Sequence, residues 1–168
     1  STYMQLGKLE AEDQIAAAKY FGSLPYIDAG RIGITGGSYG GYMTALCMTR
    51  GADVFKLGIA VSPVTNWRYY DTIYTERFMR TPQENPDGYD LNSPVHYADR
   101  LKGKFLLIHG MADDNVHLQN SVDFAEALIQ AGTKFDMMFY PNQSHGIYKR
   151  GAGIHLRNLT TDYVLENL

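Results

Sequence analysis

A single cysteine, Cys47, occurs in the 168 residues, which excludes an internal disulfide framework and a cysteine-built zinc site. Long apolar runs are missing as well. None approaches the ~20 residues that a spanning helix needs, so no membrane segment is expected in this chain. Nor is there an excess of positive charge: 15 Lys and Arg stand against 18 Asp and Glu, which argues against a nucleic-acid or anionic-membrane partner. Repeats and low-complexity segments are absent. The opening Ser1-Thr-Tyr-Met-Gln-Leu6 has no initiator Met and no basic-then-apolar signal pattern, so a processed product, a cloned segment or a fragment is expected and the compartment stays open. What is present is the composition of an ordinary globular protein, 45% hydrophobic and 20% charged, in a length that suits one domain with a sizeable core.

Helix and strand patterns alternate, which argues for parallel βα units. Leu9 to Phe21 reads as a helix on Leu9, Ile15, Ala16 and Tyr20, closed by Gly22. Strands are expected at Arg31–Thr35, Lys56–Val61, Lys104–His109 and Lys134–Tyr140. The third is apolar almost throughout, as befits a parallel strand covered on both faces. Further helices are expected from about Tyr39 to Arg50 (with Cys47 a buried free thiol), Trp67 to Arg80, Ser93 to Arg100, Leu118 to Ala131 and Ile154 to Asn167, with Thr81 to Asn92 as loop. Four parallel strands flanked by helices make only half of a usual doubly wound sheet. The first strand would then form an exposed edge that invites association, and the chain is expected to continue upstream.

Gly36-Gly37-Ser38-Tyr39-Gly40 fits G-x-S-x-G with a strand before and a helix after, and so resembles the nucleophile elbow of an α/β-hydrolase. The turn is tight enough to strain the nucleophile's backbone and lift the Ser38 hydroxyl off the sheet, with glycine expected two residues either side. The Tyr39 amide, at a helix N-terminus, would face a developing oxyanion. A dinucleotide site would need G-x-G-x-x-G, which residues 33–41 do not contain.

A serine hydroxyl needs an imidazole to take its proton and a carboxylate to orient that imidazole. In this fold they follow in the order Ser, Asp, His. The third strand opens onto His109-Gly-Met-Ala-Asp-Asp-Asn115 and the fourth onto Asn142-Gln-Ser-His-Gly146, both at the sheet end that carries the elbow. Asp113 and Asp114 compete for the acid. His145 is the candidate base, with His109 a strand-end core residue and His96 and His155 on helices. His109, Asp113 and His117 stand at metal-like i, i+4, i+8 spacing, but Gly110 and the strand before it rule out the continuous helix this would need. No cofactor or metal is expected.

These residues, with Glu12-Asp-Gln-Ile15, Gly37-Ser-Tyr-Gly-Gly-Tyr42, Trp67-Arg-Tyr-Tyr-Asp71, Tyr74-Thr-Glu-Arg77 and His109-Gly-Met-Ala-Asp-Asp-Asn-Val-His117, resemble the dipeptidyl peptidase IV group of the prolyl oligopeptidase family. The likeness covers nearly the whole chain and implies the C-terminal half of an α/β-hydrolase fold. It implies Ser38 as nucleophile, Asp113 as acid, His145 as base and Tyr39 as one oxyanion amide. It further implies a proline pocket of Val64, Trp67, Tyr70, Tyr74 and Val116, with Asn115 on the carbonyl of the preceding substrate residue. A flat, apolar ring without an N–H suits such an aromatic box. The implied activity is release of N-terminal X-Pro or X-Ala dipeptides from peptide substrates through an acyl-enzyme. A broader esterase or acylaminoacyl-type peptidase and a self-associating inactive fragment are the alternatives.

Two departures accompany the resemblance. Gly37 stands where the group commonly carries Trp. The upstream half-sheet is not in the chain, nor is its oxyanion tyrosine, nor the β-propeller whose glutamates bind the substrate's amino terminus. Loss of one oxyanion donor costs ~10²–10³ in rate, so weak or no activity is expected of these 168 residues alone. Homo-oligomers, through the open edge or in the longer protein, are expected, and likeness to bacterial members points to the periplasm or cell surface.

Overall fold

A computed structural model describes residues 1–168. Four strands, β1 (Gly33–Gly37), β2 (Leu57–Val61), β3 (Lys104–Gly110) and β4 (Asp136–Tyr140), lie in sequential order and all pair in parallel. The register aligns Gly37 with Val61, Val61 with Ile108 and Ile108 with Met138. The carboxyl ends of the four strands therefore form one rim. As expected, β1 is an edge strand with one side unpaired.

Six helices accompany the sheet: α1 (Lys8–Gly22), α2 (Tyr39–Arg50), α3 (Thr72–Met79), α4 (Pro86–Asp90), α5 (Gln119–Gln130) and α6 (Ala152–Asn167). Side chains alternate faces along a strand, and β3 shows why its sequence is apolar on both. Phe105 and Leu107 join Tyr42, Leu46, Met48, Phe124 and Leu128 in the larger core. Leu106 and Ile108 join Leu57, Ile59, Tyr140 and Tyr163 on the opposite face, against α6. Each such burial contributes ~1.5–3 kcal/mol. Cys47 lies in the larger core, fully buried.

Several expectations need correction. β1 begins two residues later than expected and runs to Gly37. In α1 the buried residues are Ala11 and Ala18, with Ile15 beside them, whereas Leu9 and Tyr20 face solvent. Small side chains let α1 approach α2 closely, so the larger apolar residues do not mark the inner face. The expected helix from Trp67 to Arg80 is two pieces: a single 3₁₀ turn at Trp67–Tyr69, extended backbone at Tyr70, then α3. Asp71 starts α3 by accepting the Tyr74 N–H at 2.8 Å, a cap that interrupts any longer helix. The expected loop at 81–92 contains α4, which Asn85 and Pro86 begin. Residues 94–100 wind as 3₁₀ turns. No helix is long and apolar enough to cross a membrane.

Candidate active site

Ser38 links β1 to α2 with φ 56° and ψ −117°, a region that costs a non-glycine residue ~1–3 kcal/mol. The surroundings hold it there. Its N–H donates to the Val61 carbonyl at 2.9 Å, and its own carbonyl accepts from the Tyr42 N–H at 3.0 Å. Gly36 is a steric necessity, because a Cβ there would lie 2.7 Å from the Gly40 Cα and closer still to its carbonyl. Gly40 is not reciprocal: a Cβ on it would meet nothing within 4 Å, which corrects the symmetric expectation. The second tight glycine is Gly41, whose Cβ would press on Pro63 at 3.0 Å. Tyr39 opens α2, so its N–H is among the first-turn amides that a helix leaves without an internal acceptor.

The loops after β3 and β4 close on each other at the same rim. The Met111 N–H donates to the Tyr140 carbonyl and the Ala112 N–H to that of Gln143, both at 2.9 Å. A Cβ on Gly110 would stand 2.5 Å from the Gln143 and Ser144 carbonyls, so only glycine lets the loops approach this far. The contact brings the Asp113 carboxylate to the His145 ring, Oδ2 to Nδ1 at 2.8 Å. Oδ1 of Asp113 accepts the N–H groups of Asn115 and Val116, each at 3.0 Å. Asp113 is buried and His145 partly open, whereas Asp114 is exposed. A carboxylate that can only accept fixes the imidazole proton on Nδ1 and leaves Nε2 free as a base.

His109 is buried, as expected of a core residue, but it also touches the acid. Its Nε2 lies 2.8 Å from the Val116 carbonyl and 3.2 Å from Asp113 Oδ2, and its Nδ1 lies 2.6 Å from Ser121 Oγ. Burial holds its pKa below the ordinary histidine value. His117 is exposed, His96 lies on the surface near Asp90, and His155 meets the Tyr140 hydroxyl at 2.8 Å. No group of three or more His, Cys, Asp or Glu gathers in a metal-binding arrangement.

The aromatic residues converge beside the elbow. Trp67 stacks on Tyr74 with centroids 5.8 Å apart, Tyr70 meets Tyr74 edge-on at 5.4 Å, and Tyr39 lies 5.7 Å from Trp67. Val64, Trp67 and Val116 are buried in the larger core, and Tyr70 and Tyr74 pack against it half-exposed. The Tyr70 hydroxyl donates to Asn115 Oδ1 at 2.7 Å. This occupies the amide's oxygen and leaves its N–H₂ group as the free end. Asn120, fully buried, pins the Val64–Asn66 loop through the Thr65 N–H at 2.9 Å.

One partner was not foreseen. Glu10 accepts the Tyr39 hydroxyl at 2.7 Å and the Gly7 N–H at 3.1 Å, so the carboxylate that caps α1 also fixes the elbow tyrosine. Burial and this acidic neighbour push the Tyr39 phenol well above its ordinary pKa. The three-residue spacing from Gly7 to Glu10 was the available signal, read in capping-box terms.

Comparison with known proteins gives the family of the chain. The model described as "Prolyl oligopeptidase family" matches residues 1–168. The chain is 49% identical over 164 residues to a probable dipeptidyl-aminopeptidase B of Neurospora crassa, covering 96% of this chain and 18% of that protein. It is 47% identical to the dipeptidyl peptidase 4 of Felis catus, covering 96% and 22%. The crystal structure of Porphyromonas gingivalis dipeptidyl peptidase 4 superposes with a TM-score of 0.98 at 53% identity, covering 99% of this chain and 24% of that one. The chain thus spans about a fifth of the length of the curated relatives it matches.

Proposed function

The chain belongs to the prolyl oligopeptidase family of serine peptidases, and from that premise we propose that it is the catalytic portion of a longer dipeptidyl peptidase IV-like exopeptidase. The observation that carries this reading is the Asp113–His145 pair at 2.8 Å on the same rim as the strained Ser38. In the proposed reaction His145 Nε2 takes the Ser38 Oγ proton as Oγ bonds to the scissile carbonyl carbon. The tetrahedral oxyanion accepts the Tyr39 N–H. Collapse breaks the C–N bond, with the proton passing from Nε2 to the leaving amine, and water then releases the acyl group by the same steps.

The box of Trp67, Tyr70, Tyr74, Val64 and Val116 supports a proline or alanine at the cleaved residue. Asn115 supports a contact to the preceding carbonyl, because its N–H₂ end is the one left unoccupied by Tyr70. A substituent at Gly37 would meet only the Val61 carbonyl, at 3.7 Å. This open space favours a roomier site than a Trp-bearing elbow would leave.

The experiment is labelling of Ser38 by a fluorophosphonate, alongside Gly-Pro chromogenic and short acyl-ester substrates, on the full-length protein. Labelling with Gly-Pro release supports the reading. Labelling with a strong ester preference moves it to a broader hydrolase, and no labelling refutes it. The unpaired edge of β1 supports a second statement, that these 168 residues alone self-associate. Light scattering that finds only monomer would count against that.

A further inference from the structure

We propose that His109 is a positioning residue: its Nε2–H, set against the Asp113 carboxylate, helps hold that carboxylate in place for His145. The proposal rests on the reading of Asp113 and His145 as an acid–base pair. A residue that merely filled space at the end of β3 would need no ring nitrogens, yet both of those on His109 are engaged. The Val116 carbonyl, 2.8 Å from Nε2, can only accept, so Nε2 carries the proton. Nδ1 is then an acceptor, and Ser121 Oγ donates to it at 2.6 Å. The ring is fixed as one neutral tautomer whose N–H bonds to Val116, and Nε2 lies 3.2 Å from Asp113 Oδ2, near enough for the N–H dipole to act on the carboxylate. The titratable groups that face it are Asp113, on the loop after β3, and His145, on the loop after β4.

Asp113 is thereby held by three hydrogen bonds and flanked by the His109 N–H. Its Oδ1 takes two backbone N–H groups and its Oδ2 takes His145, while the His109 N–H stands close to Oδ2 without a hydrogen bond to it. Removing the His109 donor concentrates negative charge on Oδ2. That charge favours the His145 imidazolium, and the carboxylate loses a neighbour that restrains its rotation.

The test uses the full-length protein and a Gly-Pro chromogenic substrate, with pH profiles of kcat and kcat/KM for His109→Leu and His109→Gln. For H109L the acidic limb is expected to move up by roughly half a unit to one unit, a loss of about three- to tenfold on that side with KM little changed. H109Q keeps an N–H near the Nε2 position and is expected to restore the limb. If H109L fails to fold, Ser121→Ala, which frees Nδ1, is expected to shift the limb the same way by less. An active wild type whose profile none of these variants moves, while the melting temperature falls, overturns the positioning role alone. A wild type that releases no Gly-Pro product and takes no fluorophosphonate label overturns the functional reading, and the positioning role with it.

Discussion

Replacing Asp113 by Asn tests the proposed site most sharply, because the surroundings dictate which way the amide must face. The Asn115 and Val116 N–H groups, both 3.0 Å from Oδ1, demand an acceptor there. The amide oxygen must therefore take that position and the N–H₂ group must take that of Oδ2. It then points donors at His145 Nδ1, now 2.8 Å from Oδ2, so the ring can keep a contact only by moving its proton to Nε2. That tautomer has no lone pair for the Ser38 hydroxyl. The equivalent carboxylate-to-amide change in a serine protease is known to cost about 10⁴ in kcat, which corresponds to ~5.5 kcal/mol. The expected outcome is a loss of that order in kcat/KM on a Gly-Pro chromogenic substrate and in the fluorophosphonate labelling rate. Two backbone hydrogen bonds survive, but the N–H₂ group then faces the buried His109 N–H at the Oδ2 position, so the melting temperature should fall while the protein still folds. Activity within tenfold of wild type would refute the reasoning, and a larger loss in Asp114→Asn would transfer the role to Asp114.

Three further outcomes are expected. Gly36→Ala drives a methyl group into the Gly40 backbone and should destabilise by ~1–3 kcal/mol or more, whereas Gly40→Ala, which meets nothing, should match or slightly exceed wild-type stability; urea midpoints of the two variants check this. Burial pushes the Cys47 thiol up to about 12 from 9.0, so thiol reagents at pH 8 should react only on unfolding. The unfolded chain then ionises first as pH rises, and wild-type stability should fall above about pH 9, a loss that Cys47→Ala removes. Tyr70→Phe deletes the 2.7 Å bond to Asn115 and should raise KM for Gly-Pro substrates by about three- to tenfold with a smaller change in kcat.

The residues proposed to carry the reaction were legible because each sits in a pattern that backbone geometry enforces. A strand, G-x-S-x-G and a helix leave few other conformations for Ser38, and β3 and β4 end where their apolar runs stop. Asp113 against Asp114 was different. Their order in sequence says nothing about which carboxylate turns inward; the resemblance favoured Asp113, and the structure turns that one toward His145 and the backbone N–H groups of Asn115 and Val116. His109 was read as core, which its burial agrees with, but a hydrophobic period cannot show that a buried ring also meets Ser121, Val116 and Asp113.

The segment from Trp67 to Arg80 shows where periodicity misleads. Its aromatic spacing fits one amphipathic helix, and a continuous helix would keep Trp67, Tyr70 and Tyr74 in a single stripe. The Asp71 cap breaks that helix, and the extended residue Tyr70 before it turns the chain. Trp67 can then sink into the core while Tyr70 and Tyr74 remain half-exposed around it. An unbroken helix would make a packing ridge, whereas the broken one makes a wall. A wall of this kind needs support from behind. Tyr39 supplies it, touching Trp67 on one side and anchored to Glu10 of α1 on the other. The same residue whose amide is proposed to meet the oxyanion thus braces the box proposed to hold the substrate, so a change at Glu10 should disturb binding and chemistry together.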